Sequence, residues 1–166
     1  SLSKIPSVIY KQLRSQKEKE PKQPLPITPF DKASFLAPSA SAKFIWYGHA
    51  VILMCIEGKT ILIDPMLGNN TTPIAPIANR RFSKNTLDLI DEADMIKEFD
   101  WWESREFENV KITFTPTRHF SGRGLTDRFR TLWGGWVFKT QQENIWFSGD
   151  GGYGEHFKEI GKRFEP

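Results

Sequence analysis

Two polar residues each end a strand-like apolar run, and their side chains are the kind that hold ions or polarised substrates. His119 follows Val110-Lys111-Ile112-Thr113-Phe114-Thr115, where apolar and polar residues alternate with period two. Asp150 follows Ile145-Trp146-Phe147-Ser148-Gly149 and is followed by Gly151-Gly152. A strand supplies a rigid base, and the loop after it leaves an imidazole or carboxylate free to point at an ion or substrate. The competing reading is plainer, a histidine capping a turn and an aspartate turning a hairpin. Either residue taken singly favours that account. Downstream of His119, Ser121, Arg123 and Arg128 lie in a glycine-punctuated loop. Guanidinium forks there could meet phosphate oxygens, or could pair with Asp127 on a solvated loop.

These two points need strands behind them. Lys43 to Tyr47, Val51 to Ile56 and Thr60 to Ile63 read as three more, the last two joined by the turn Glu57-Gly58-Lys59. Runs this apolar predict strands covered on both faces, as in layered α/β architectures. The chain has 166 residues, 39% hydrophobic and 13% aromatic, which is material for one domain with a real core. A helix is expected after the Asp150 turn, around Gly154 to Ile160. Cys55, the one cysteine, excludes an internal disulfide and sits in an apolar run, so a buried thiol is expected.

Charge divides the chain. Residues 1–23 hold six basic groups against Glu18 and Glu20, which leaves 17 basic and 18 acidic residues of the chain's 23 and 20 elsewhere. The near-neutral remainder argues against a nucleic-acid-binding face. Leu2, Ile5, Ile9 and Leu13 fall at helical spacing in the basic segment. It reads either as a peripheral membrane contact or, the favoured alternative, as a helix packed on its own domain or a loose arm. The run from Pro21 to Pro29 then forms an extended connector. A cytoplasmic setting, with membrane association through residues 1–23 as the variant, follows from this reading. The expected division is a basic extension and connector over 1–41 and a folded domain over 42–166.

The wording T-R-H-F-S-G-R-G, T-L-W-G-G-W-V and F-S-G-D-G-G-Y-G-E-H-F-K-E-I-G resembles the metallo-β-lactamase superfamily. Within it, the likeness is to the branch containing N-acylphosphatidylethanolamine-hydrolysing phospholipase D. Trp46-Tyr47-Gly48-His49-Ala50 and Thr60-Ile61-Leu62-Ile63-Asp64-Pro65 resemble that branch's opening hairpin, and Arg81-Phe82 matches an Arg-Phe pair in a later loop. The resemblance implies a four-layered αβ/βα sandwich, incomplete in this chain. It also implies a hydrolase using two zinc ions, or other divalent metals, against a phosphodiester in a small-molecule or lipid ester. By the same match His119 binds one ion, Asp150 bridges both, Asp64 supports the site from beneath, and His49 lies near its edge in a structural role.

One departure limits this. The superfamily's His-x-His-x-Asp-His motif does not occur, and the sequence passes from Asp94 through Met95 to Ile96 as if a few dozen residues were missing. Only His49, His119 and His156 are present, too few for a dinuclear centre. The expectation is that a missing segment, or a second chain, completes the domain. The rival expectation is a non-catalytic scaffold or partner-binding domain without metal.

Overall fold

The computed structural model describes residues 10, 26, 28–48, 50–65, 97–120 and 131–166. Seven strands and two short helices occur there: α1 (Lys32–Leu36), β1 (Lys43–Trp46), β2 (Ile52–Ile56), β3 (Lys59–Ile63), β4 (Ser104–Phe107), β5 (Val110–Pro116), β6 (Gly134–Lys139), β7 (Asn144–Phe147) and α2 (His156–Phe164). The strands form two antiparallel sheets, ordered β1-β2-β3 and β4-β5-β6-β7. The five strands expected from the sequence are all present, with ends moved by a residue or two. Strands β4 and β6 and helix α1 were not anticipated.

Register decides which side chains share a face. In the first sheet Met54 sits opposite Phe44 and Ile61, and Ile52 opposite Trp46 and Ile63. In the second, Ile112 lines up with Phe138 and Ile145, and Phe114 with Trp136 and Phe147. Because side chains alternate along a strand, each row shares one face of its sheet, and in the first sheet Phe44 and Trp46 at its edge remain exposed. Met54, Ile56, Ile63, Val110 and Phe138 are buried together between the sheets, with Ile52, Ile61, Ile112 and Trp136 packed against them. A strap joins the sheets at one end, where the Ala42 N–H donates to both Glu143 carboxylate oxygens at 3.0 and 3.1 Å.

Each outer face meets a helix. Phe35 of α1 packs with Tyr47, Val51, Leu53 and Cys55 on the first sheet. Lys43 holds that helix by donating its ammonium to the carbonyls of Ser34 and Ala37, each at 2.7 Å, at the C-terminal end where helical carbonyls lack partners. Residues Leu53 and Met54, adjacent on β2, are both fully buried, so this strand is covered on both faces as its composition predicted. Cys55 is a buried free thiol, also as expected.

On the second sheet Trp146 meets Phe157 of α2 edge-on at 4.6 Å, and Ile160 is fully buried. Asn144 Nδ2 donates to the Phe164 carbonyl at 2.8 Å, and Arg163 lies over the Trp102 ring at 4.1 Å. Helix α2 gains further from Glu155–Lys158 and Glu159–Arg163 pairs at helical spacing. The described residues are thus β-rich, with few helical residues. Two helices of five and nine residues lie against the sheets, the second where the sequence places one after Asp150.

Candidate metal-site edge

Strands β5 and β7 both run antiparallel to β6, so they point the same way and end at the same edge of the second sheet. His119 follows the end of β5 and Asp150 the end of β7, and both are exposed there. Between them stands the start of β6, Gly134-Gly135. A Cβ on Gly135 would fall 2.5 Å from the Phe147 carbonyl oxygen and 2.9 Å from Trp146 Nε1, and one on Gly134 would strike the Thr115 carbonyl. Only hydrogen fits at either place, which lets the flanking strand ends close over β6.

Beyond β6 the two loops join directly. Arg118 and Gly152 form an antiparallel bridge, with the Gly152 N–H donating to the Arg118 carbonyl at 3.0 Å. A Cβ on Gly151 would lie 2.7 Å from Thr117 Cβ and 3.0 Å from its hydroxyl. Gly149 carries a left-handed backbone (φ 60°), the conformation the turn at Asp150 needs. His119 follows the bridged Arg118 directly and Asp150 lies two residues before Gly152, so both lie at the same end of the sheet.

The imidazole itself is not poised as a ligand. The Phe120 N–H donates to His119 Nδ1 at 2.7 Å. With that lone pair occupied, the neutral ring carries its proton on Nε2, and neither nitrogen is open to a cation until the ring turns or the Phe120 contact is given up. Among the described residues no group of three or more His, Cys, Asp and Glu is placed to hold a metal ion. The dinuclear centre that the resemblance implies needs about three protein donors per ion. The described residues do not by themselves fit it.

Other expected site residues divide. Asp64 ends β3 in the other sheet, exposed and with left-handed backbone (φ 49°). The bonds that join the His119 and Asp150 loops do not run through it. His49, Ser121, Arg123 and Arg128 lie outside the described residues, as do Arg81-Phe82, the Asp94 to Ile96 junction and, apart from Tyr10, the basic segment 1–23. His156 opens α2, where its Nε2 is a buried atom with no hydrogen-bond partner.

Two further features mark the edge. One is Arg118, whose Nη1 reaches towards the Tyr153 carbonyl at 3.5 Å, a long contact. Its place directly before His119 was the available signal. The other is a pair of indoles: Trp133 Nε1 donates to the Thr117 carbonyl at 3.1 Å, and Trp101 Nε1 to the Trp133 carbonyl at 2.8 Å. The loop bearing Trp101 is fixed by Glu103. The Asp100 N–H, and then the Arg105 guanidinium, hold the Glu103 carboxyl below its usual range.

Known proteins resemble parts of the chain. Residues 79–166 match the family described as "Beta-lactamase superfamily domain". Outer membrane protein RomA of Klebsiella pneumoniae is 51% identical over 59 residues, 36% of this chain and 44% of that protein. N-acyl-phosphatidylethanolamine-hydrolyzing phospholipase D 1 of Caenorhabditis elegans is 31% identical over 96 residues, 55% of this chain and 27% of that one. A UPF0173 metal-dependent hydrolase of Geobacillus thermodenitrificans is 25% identical over 154 residues, 73% of this chain and 68% of that one. The chain spans less than half the length of the Klebsiella relative. With the family match covering more than half of the 166 residues, the chain belongs to the metallo-β-lactamase superfamily.

Proposed function

We propose that the protein is part of a metal-dependent hydrolase, a zinc phosphodiesterase acting on a phospholipid-like ester, built on the four-layered αβ/βα sandwich. The observation that carries the reading is the Arg118–Gly152 bridge, which brings an imidazole and a carboxylate to one sheet edge. Imidazole nitrogen and carboxylate oxygen are both ordinary zinc donors. The names of two relatives support the reading, one a metal-dependent hydrolase and the other a phospholipase D. His119 and Asp150 would be two of the donors, with the rest coming from residues other than those described or from a second polypeptide. Bound divalent ions would supply hydroxide at neutral pH by lowering the pKa of coordinated water to about 7. This chain's part would be to hold its two donors on the glycine-packed loops at one sheet edge.

The test is zinc-dependent hydrolysis of bis(4-nitrophenyl) phosphate by metal-stripped protein. Zinc is expected to restore turnover, and His119→Ala or Asp150→Asn to lower it by about 100-fold or more. A scaffold without chemistry is the second reading, favoured by the occupied Nδ1 of His119 and the shortage of donors. Absence of turnover with zinc present would establish it instead, and turnover indifferent to both substitutions would overturn the roles given to His119 and Asp150.

A further inference from the structure

The described residues include three arginines, and the fold uses two of them. Arg105 pairs with Glu103 at 2.8 Å and lies over the Phe99 ring at 5.1 Å. Arg163 pairs with Glu159 at 2.6 Å and covers the Trp102 ring. Arg118 has neither kind of partner: among the described residues no carboxylate is paired with it and no ring lies beneath it. Its guanidinium makes one hydrogen bond there, the long reach of Nη1 to the Tyr153 carbonyl. The arginine left uncommitted is the one that directly precedes His119.

That side chain is also held in place. The bridge to Gly152 fixes its backbone. Its stem runs beside the 152–154 turn, since a Cβ built on Gly154 would stand 3.7 Å from Arg118 Cδ. The group therefore crosses from the loop bearing His119 to the loop bearing Asp150. With Nη1 turned to the Tyr153 carbonyl, Nε and Nη2 remain as neighbouring donors without an acceptor among the described residues. Such a pair meets two oxygens of a phosphate at once, which the point charge of an ammonium cannot do. An arginine serving only solubility has no reason to lie across the junction of the two site loops.

We propose that Arg118 binds the anionic oxygens of the substrate's phosphate and makes this edge select a phosphodiester over a neutral carboxylic ester. The inference deepens the phosphodiesterase reading and rests on it for the reaction served. A diester carries one negative charge shared by two non-bridging oxygens, which one guanidinium fork matches in both charge and geometry. A neutral ester offers a single carbonyl oxygen and no charge. Binding of the anion is separable from turnover, so the two readings can fail independently.

The test is titration of the full chain, with zinc present, by diethyl phosphate followed through its phosphorus NMR signal. Arg118→Met is expected to weaken binding about tenfold or more, and Arg118→Lys to recover only part of that loss. Lys139→Met removes an exposed charge at the far end of β6 and is expected to bind as the wild type does. Triethyl phosphate, the neutral triester, is expected to be indifferent to Arg118. No binding of the diester by the wild-type chain would overturn the inference. So would equal affinity in Arg118→Met, equal loss in Lys139→Met, or equal dependence of the triester on Arg118. Arg118 is exposed, so its loss should leave the urea midpoint unchanged. A midpoint that falls together with binding would make the residue a clamp between the loops and overturn its substrate role. Diester binding through Arg118 without zinc-dependent hydrolysis would sink only the hydrolase reading. Hydrolysis whose KM and diester affinity are unchanged in Arg118→Met would sink only the inference.

Discussion

Phe138→Ala is expected to destabilise the fold by about 3–5 kcal/mol, the largest effect of any single core truncation here. The ring is 2% exposed and lies between Ile112 and Ile145 in the register, at the centre of the cluster shared by both sheets. Its removal takes contacts from Met54, Ile56 and Ile63 on one sheet and Val110 on the other. A close-packed interior relaxes only in part, so a cavity remains in addition to the lost transfer energy. Small domains hold about 5–15 kcal/mol in total, so such a loss lowers the urea midpoint steeply. Loss below about 1 kcal/mol would mean that the two sheets do not share one core.

Gly151→Ala is expected to act on the site more than on the fold. The new methyl would stand 2.7 Å from Thr117 Cβ and 3.2 Å from the Ser148 carbonyl oxygen, and neither is the loose end of a flexible side chain. Relief requires the 117–119 segment and the 150–152 turn to separate, which moves His119 away from Asp150. Overpacking of this kind costs about 1–3 kcal/mol. A displacement near 1 Å at a catalytic constellation costs about 100-fold in rate. Thr117→Gly removes both the Cβ and the hydroxyl that meet the new methyl, so the double variant should recover part of both losses. An additive double variant, no better than the sum of the singles, would show that Thr117 is not what Gly151 must clear.

The sequence carried the edge strands well, for identifiable reasons. Val110 to Pro116 alternates because Val110 and Ile112 turn to the other sheet, while Thr113 and Thr115 on the opposite face are buried with their hydroxyls bonded to Ser104 and Trp146. Ile52 to Ile56 is apolar throughout because both faces are buried. Strand β4 escaped notice because Ser104-Arg105-Glu106-Phe107 is an exposed edge strand whose polar sequence lacks a core signal. Strand β6 begins with Gly134-Gly135, which reads as a turn; its glycines are there because Phe114, Thr115 and Phe147 leave no room for a Cβ. Helix α1 rests on a cap, Asp31 Oδ1 accepting from the Ser34 N–H at 3.1 Å, and on Phe35; five residues are too few to show a helical period.

The site was legible in part. His119 and Asp150 drew notice because each follows a strand, and the Arg118–Gly152 bridge joins their loops. What sequence could not give was the state of the imidazole, since the Phe120 N–H on Nδ1 is a matter of loop geometry. Arg118 was passed over because its role depends on which backbone carbonyl lies across the edge, on a segment 35 residues away.

Zinc titration followed through the imidazole nitrogen signals tests the central claim most directly, that His119 and Asp150 form one metal-binding edge. With three histidines in the chain the signals are separable. The account predicts that zinc shifts the His119 ring signals as Nδ1 releases the Phe120 N–H, and that Asp150→Asn weakens this response at least about tenfold. His119 signals that stay fixed as zinc is added, or that move equally in Asp150→Asn, would contradict it.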